Sequence, residues 1–179
     1  TFRSKVAETC LNSGASIIND VSAGEMDKKM MKIVGKYNVP YVMMHMKGNP
    51  QNMIRKTNYD DMLKEIIKYF SKKINQAVSY KINDMIIDPG FGFAKDLKQN
   101  YDLLSNIDLL KILDKPIMVG ISRKSMIYQS LKTNAKESLN GTTVLNTVSL
   151  IKGASILRVH DVKEANECIK LISALNNQG

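Results

Sequence analysis

The sequence predicts an α/β fold built on parallel strands. Short apolar runs recur along the 179 residues, and amphipathic segments of helical period separate them. The runs are continuous rather than alternating, as expected of strands covered on both faces. Each run also ends in side chains able to bind a ligand or react with one.

Taken in order, the chain opens on a helical pattern from Phe2 to Asn12 with no strand before it, which reads as the helix of a unit whose strand precedes Thr1. Five runs follow, at Ser16–Asp20, Tyr41–His45, Met85–Asp88, Pro116–Gly120 and Ser155–His160. The clearest helical stripe between them comprises Met62, Ile66, Ile67, Phe70, Ile74 and Val78, with Lys64, Lys68 and Lys72 off its apolar side. The last helix is expected to start at Asp161, with Glu164 placed as in a capping box. Strand–helix alternation implies right-handed crossovers. A five-stranded doubly wound sheet and about five-eighths of a (β/α)8 barrel both suit this length, and periodicity does not separate them. No repeat or low-complexity linker divides the chain, so 1–179 reads as a single domain.

Composition excludes several classes. With 44% apolar and 24% charged residues the chain is neither disordered, collagen-like nor a disulfide scaffold. No apolar run approaches the roughly 20 residues that span a bilayer. The stretch from Thr1 to Ser4 leads into a polar helical pattern rather than a signal peptide, and the expected location is cytoplasmic. Cys10 and Cys168 stand far apart without metal or redox spacing and read as reduced thiols. The net charge of +9 comes mostly from scattered lysines, with only four arginines among the 26 basic residues. Aromatic residues are not interleaved with them, so the charge reads as solvated surface and no nucleic-acid partner is expected.

The strand ends carry the chemistry. They are Asn19 and Asp20, His45, Asp88, the Ser122-Arg123-Lys124 cluster, and Arg158 with His160. Ligands of α/β barrels and open parallel sheets bind at this end of the strands. In Asp88-Pro89-Gly90-Phe91-Gly92-Phe93-Ala94-Lys95 the carboxylate can accept two parallel hydrogen bonds from a planar, amidine-like edge. The glycines there allow a sharp turn and close approach, and Phe93 can wall a pocket. The competing structural reading is a Pro-Gly turn with Asp88 as a helix cap. Ser122, Arg123 and Lys124 compose an anion site or, alternatively, a solvated basic turn. Arg158 and His160, two residues apart, point to one strand face and can clamp an oxyanion; a salt-bridged arginine and a capping histidine are the alternative. Met44 either packs on a flat ring or belongs to the core, and His45 has no metal partner at useful spacing.

Five blocks in order resemble the dihydropteroate synthases of the pterin-binding barrel family: Ile-Ile-Asn19-Asp20, Met43-Met44-His45-Met46-x-Gly48-Asn49-Pro50, Asp88-Pro-Gly-Phe-Gly-Phe93, Ser122-Arg123-Lys124-Ser125 and Arg158-Val-His160-Asp161. The resemblance implies a partial (β/α)8 barrel of about five parallel strands, beginning after the third barrel strand as a C-terminal fragment. It implies a transferase that joins 6-hydroxymethyl-7,8-dihydropterin diphosphate to 4-aminobenzoate with release of diphosphate. Implied roles are pterin binding by Asn19, Met44, Asp88, Lys124 and Arg158, with Asp88 and Lys124 closest to catalysis. Arg158 and His160 are implied to hold the diphosphate, while Phe93 and Ser122 meet the aminobenzoate. The family uses magnesium, whose protein ligand is expected upstream of Thr1, and a homodimer is expected through the C-terminal outer helices. The fragment alone is expected to be inactive and prone to aggregate. A methyltransferase on the same barrel and a basic polyanion-binding module are the alternatives; the anion-binding blocks disfavour the first and the dispersed lysines the second.

Overall fold

The computed structural model describes residues 1–48 and 57–176. Helix α1 (Ser4–Asn12) leads into β1 (Ile18–Asp20), α2 (Met30–Tyr37), β2 (Tyr41–Met44), α3 (Met62–Ser79) and β3 (Met85–Asp88). Then come α4 (Leu97–Ser105), a 3-10 segment (Ile107–Leu113), β4 (Met118–Val119), α5 (Ser125–Ser130), α6 (Leu139–Ile151), β5 (Ile156–Leu157) and α7 (Val162–Asn176).

All the strand pairs are parallel. Asn19 lies opposite Val42, Val42 opposite Ile86, and Met44 opposite Asp88. Met118 of β4 lies opposite Ile156 of β5, and a bridge from Ile87 to Ile117 joins this pair to the first three strands. The strands therefore follow one another in chain order without the reversal that defines a doubly wound sheet. Their two faces also differ. Tyr41, Met43, Ile87 and Val119 pack with helical residues such as Met31, Ile66, Phe70 and Leu103 in the main core. On the opposite face Val42, Ile86 and Met118 form a small cluster of their own, with Ile156 against it. Helices on one side and a narrow apolar floor on the other make the arc a section of (β/α)8 barrel wall, which settles the choice of architecture.

Several expectations need correction. Apart from β3, the strands are shorter than the apolar runs, and β5 stops at Leu157, so Arg158 to His160 continue beyond the ladder. Even so, the Arg158 N–H still donates to the Val119 carbonyl at 2.8 Å. On α3, Val78 is 58% exposed while Lys73 is only 5% exposed, because the buried stripe runs Ile66, Phe70, Lys73, Ala77. The Lys73 ammonium pairs with Glu25 and lies 5.7 Å from the Tyr69 ring. The capping box occurs on α4, between Asp96 and Gln99; the carboxylate of Asp161 is instead taken by an arginine described below. Cys10 and Cys168 are both free thiols.

Candidate functional site

Side chains alternate along a strand, so the register decides which residues share a face. Asn19, Val42, Met44, Ile86 and Asp88 fall on the face away from the helices, as do Met118 and Ile156. Continuing the β4–β5 register brings Gly120 beside Arg158, and a Cβ on Gly120 would lie 3.2 Å from Arg158 Nε. A shallow cup results: an apolar floor of Val42, Ile86, Met118 and Ile156, with Asn19, Met44, Asp88 and Arg158 at its rim.

The neighbouring polar residues serve the turns. Asp20 is fully buried; Oδ1 accepts the Ser22 N–H at 2.9 Å, and Oδ2 accepts Gly24 N–H and Tyr41 O–H, both at 2.7 Å. Asn19 differs, for its buried Oδ1 has no partner among the described residues. A buried acceptor left unpaired is costly unless a ligand completes it.

Asp88, 6% exposed, anchors the next loop through Oδ1, which accepts the Gly90 N–H at 2.8 Å. Oδ2 has no hydrogen-bond partner among the described residues. Burial pushes the Asp88 carboxyl upward, opposed by the Gly90 N–H and by the positive charges of Lys124, Arg158 and Lys95. Gly90 is obligatory here: its φ is +74°, and a Cβ would lie 2.1 Å from the His45 carbonyl oxygen. His45 is 4% exposed, and burial, reinforced by the charges of Lys95 and Lys47, holds its ring neutral.

From the next loop, Lys124 reaches back over this one. Its ammonium donates to the Phe91 carbonyl and lies 4.9 Å from the Phe93 ring centroid. Burial pulls it down to about 8, with Asp88 opposing and Arg158 assisting that fall. Arg123 is a correction to the expected anion cluster. Its φ of +54° turns the side chain away, and the guanidinium grips Asp161 with Nε to Oδ2 at 2.9 Å and Nη2 to Oδ1 at 2.8 Å. Nη1 ties the Ala135 and Lys136 carbonyls, so Arg123 joins loops rather than binding an anion. Ser122 is likewise committed: Oγ lies 2.9 Å from His160 Nδ1 and accepts the His160 N–H at 3.2 Å. His160 and Arg158 are otherwise exposed at the rim.

The structure thus gathers Asn19, Met44, Asp88, Phe93, Lys124 and Arg158 around the cup, with His160 beside them. It leaves Ser122 behind His160. The serine that borders open space is Ser125, which with Gly92, Asn100, Met126 and Gln129 lines a cavity of about 470 Å³ next to Phe93. Lys95 closes the motif that begins at Asp88, but the sequence assigned it no role, and Asn100, twelve residues past Asp88, lies beyond that motif and carries no local signal. Asn49 and Pro50 of the second block lie outside the described residues. Among the described residues no group of three His, Cys, Asp or Glu side chains converges to hold a metal ion. In chemical terms the cup offers a paired acceptor edge at Asn19 and Asp88, a donor at Lys124 and an exposed guanidinium at Arg158. That set suits a flat heterocycle with N–H donors, a carbonyl and an anionic substituent.

Known proteins resemble this chain in both sequence and fold. The profile of a family described as pterin binding enzyme matches residues 1–160. A dihydropteroate synthase from Synechocystis sp. is 36% identical over 178 residues, covering 98% of this chain and 62% of the relative. One from Escherichia coli K12 is 35% identical over 176 residues, with 97% and 62% covered. The chain therefore spans somewhat less than two thirds of these relatives. Among solved structures, a Yersinia pestis dihydropteroate synthase in complex with a sulfonamide drug superimposes with a TM-score of 0.96 at 34% identity, covering 100% of this chain and 66% of that one. A Thermus thermophilus dihydropteroate synthase in complex with 4-aminobenzoate gives 0.93 at 32% identity, with 98% and 68% covered.

Proposed function

Because the chain belongs to the pterin-binding enzyme family, we propose that its strand-end cup forms part of a dihydropteroate synthase, joining 6-hydroxymethyl-7,8-dihydropterin diphosphate to 4-aminobenzoate in folate biosynthesis. The observation that carries this reading is the shared face: Asn19, Met44 and Asp88 come from three different strands and Arg158 from the residue just past β5, yet the register turns them the same way.

In this reading Asn19 Oδ1 and Asp88 Oδ2, the acceptors without partners among the described residues, take the pterin N–H donors. Lys124 donates to the pterin carbonyl, Met44 lies against the ring, and the planar Arg158 guanidinium covers its other side. Arg158 and His160 hold the diphosphate. The aminobenzoate nitrogen uses its lone pair to form a C–N bond to the exocyclic methylene; the C–O bond breaks, its electrons leave with diphosphate, and the nitrogen then loses a proton. No covalent intermediate on the protein is needed, since alignment and charge stabilisation supply the acceleration. Asp88 offsets the positive charge that develops on the pterin as the diphosphate departs. Phe93 walls the aminobenzoate side. Ser122 acts there only through His160, and Ser125 is the serine open to the adjoining cavity. Magnesium would accompany the diphosphate in this reading and offset its charge, although no group of three His, Cys, Asp or Glu side chains among the described residues converges to hold it.

Assembly and location belong to the same proposal. Val144 and Ile151 on α6 and Leu171 and Leu175 on α7 are each at least 52% exposed, which supports a homodimer through these helices. Among the described residues no helix is long and apolar enough to cross a membrane, in keeping with a cytoplasmic enzyme that binds small substrates.

The decisive experiment supplies the intact protein with both substrates and follows dihydropteroate and diphosphate together. Their release in equal amounts is the expected result. Methyl transfer from a methylated folate without diphosphate release, or salt-sensitive RNA binding without affinity for a pterin, would reject the reading.

A further inference from the structure

The loop after β3 is held from behind by two side chains that do not reach the cup. Lys95 is 7% exposed, and its ammonium donates to the Gly90 carbonyl at 3.1 Å and the Phe93 carbonyl at 3.0 Å. A third contact, at 3.2 Å, reaches Nδ1 of the neutral His45 ring, which can only accept from a charged lysine. Asn100, 3% exposed, clasps the other edge: Oδ1 accepts the Gly92 N–H at 2.7 Å, and Nδ2 donates to the Lys95 and Asp96 carbonyls at 3.2 and 2.7 Å.

Burying an ammonium is expensive, and a hydrocarbon side chain of similar length would fill the space without that cost. Lys95 makes no ion pair in return; the salt bridges among the described residues do not include it. What its donors hold is the loop that carries the site. The Gly90 residue whose carbonyl Lys95 binds is also the one whose N–H holds Asp88 Oδ1. The Phe93 residue whose carbonyl it binds carries the ring beneath Lys124. Displacing either carbonyl therefore moves a group at the rim.

We propose that Lys95 and Asn100 are positioning residues that set the Gly90–Phe93 loop, and through it the Asp88 carboxylate and the Phe93 ring, with His45 as the acceptor that completes the hold. The inference deepens the proposed function and rests on it. Neither residue stands at the rim of the cup where the pterin is proposed to lie, although both border the adjoining cavity.

The test uses the full-length protein as wild type, Lys95→Met, Asn100→Ala and the double variant, with the exposed Lys98→Met as control. Affinity for 6-hydroxymethyl-7,8-dihydropterin diphosphate is measured by calorimetry well below the melting temperature of each variant, so that folded protein alone is read. Each single change should weaken binding about tenfold. The double variant should be no worse than the weaker single by more than about twofold, because both act through one loop. Lys98→Met should bind as wild type does. Variants that melt earlier yet bind normally when folded would make both residues merely structural and overturn the inference, as would losses that multiply in the double variant. Should Lys95→Met not fold, Asn100→Ala decides by the same measurement. A wild type that neither binds the pterin nor forms product defeats the proposed function itself, a result distinct from an active wild type with unaffected variants.

Discussion

Lys124 is a half-buried cation with work on both sides: its ammonium holds the Phe91 carbonyl, and Asp88 favours its charge. A charged hydrogen bond in such a setting contributes about 1.5–3 kcal/mol, so Lys124→Met should lower kcat/KM for the pterin diphosphate by about ten- to a hundredfold. Lys72→Met, at an exposed position, should leave it unchanged, and equal effects of the two changes would refute the assignment. The pH dependence has a definite sign. With burial bringing Lys124 down to about 8, the cation is present below that value and lost above it. Affinity for the diphosphate substrate should therefore fall as pH rises through 8, and Lys124→Met should abolish this fall. Asp88→Asn keeps the shape and an acceptor for the Gly90 N–H but removes the charge; pterin affinity, read by titration calorimetry, should drop about tenfold or more. At this scale the sequence was informative about residue type and blind to direction. Asp88 and Lys124 stood out as candidates because charged or polar groups recur at the ends of all five apolar runs. Arg123 sits beside Lys124 in an identical local context, and only its left-handed backbone, which carries the guanidinium to Asp161, separates the two.

Element boundaries follow from local rules wherever the side chains themselves make the bonds. Asp96 accepts the Gln99 N–H at 2.8 Å, and Gln99 Oε1 accepts the Asp96 N–H at 2.9 Å, closing a reciprocal cap on α4. Asp96→Ala should cost about 1 kcal/mol, seen as a lower urea midpoint; an unchanged midpoint would mean that the cap is not holding the helix. Helix α2 depends on contact instead. A Cβ at Gly35 would lie 2.0 Å from the Tyr80 carbonyl oxygen, a backbone atom at the end of α3 that has no rotamer to yield. Alanine gains about 1 kcal/mol in helix propensity over glycine. Forced separation of the two helices outweighs it, so Gly35→Ala should be net destabilising by about 1–3 kcal/mol. Strand positions were readable from the apolar runs, since each strand lies within one. Strand lengths were not, because the ladder between β4 and β5 covers two residues on each side and pairing depends on a neighbour that periodicity does not describe. Lys73 escaped notice for a similar reason: its burial on α3 depends on Glu25, far away in sequence.

Across the whole molecule, the buried cations control how stability varies with pH. Burial lowers Lys95 to about 7 and Lys124 to about 8, whereas both would titrate near 10.4 in the unfolded chain. Between about pH 7 and pH 10 the unfolded state therefore binds more protons than the folded one, and stability must rise with pH across that window. The overall charge of +9 acts in the same direction, because its self-repulsion eases as lysines are neutralised. Asp88 opposes the trend, since burial raises its carboxyl and makes the folded state the better proton acceptor, but its influence belongs to more acidic solution. His45, neutral when buried, must take up a proton on unfolding in acid, and Glu8, Glu25, Asp27 and Asp161, all held below the usual carboxylate range, lose their partners there. Above about pH 10 the buried phenols of Tyr41 and Tyr69, pushed upward by burial, reverse the slope as the unfolded chain ionises them first. Maximum stability is thus expected near pH 9 to 10, on the alkaline side of the usual neutral range. Urea midpoints measured from pH 6 to pH 10 should climb, and Lys95→Met should flatten much of the rise between 7 and 10 while leaving the acid limb in place. A midpoint that is flat or falling from pH 7 to pH 9 would mean that Lys95 and Lys124 are not buried as cations. The loop they hold together would then have to be rigid for some other reason.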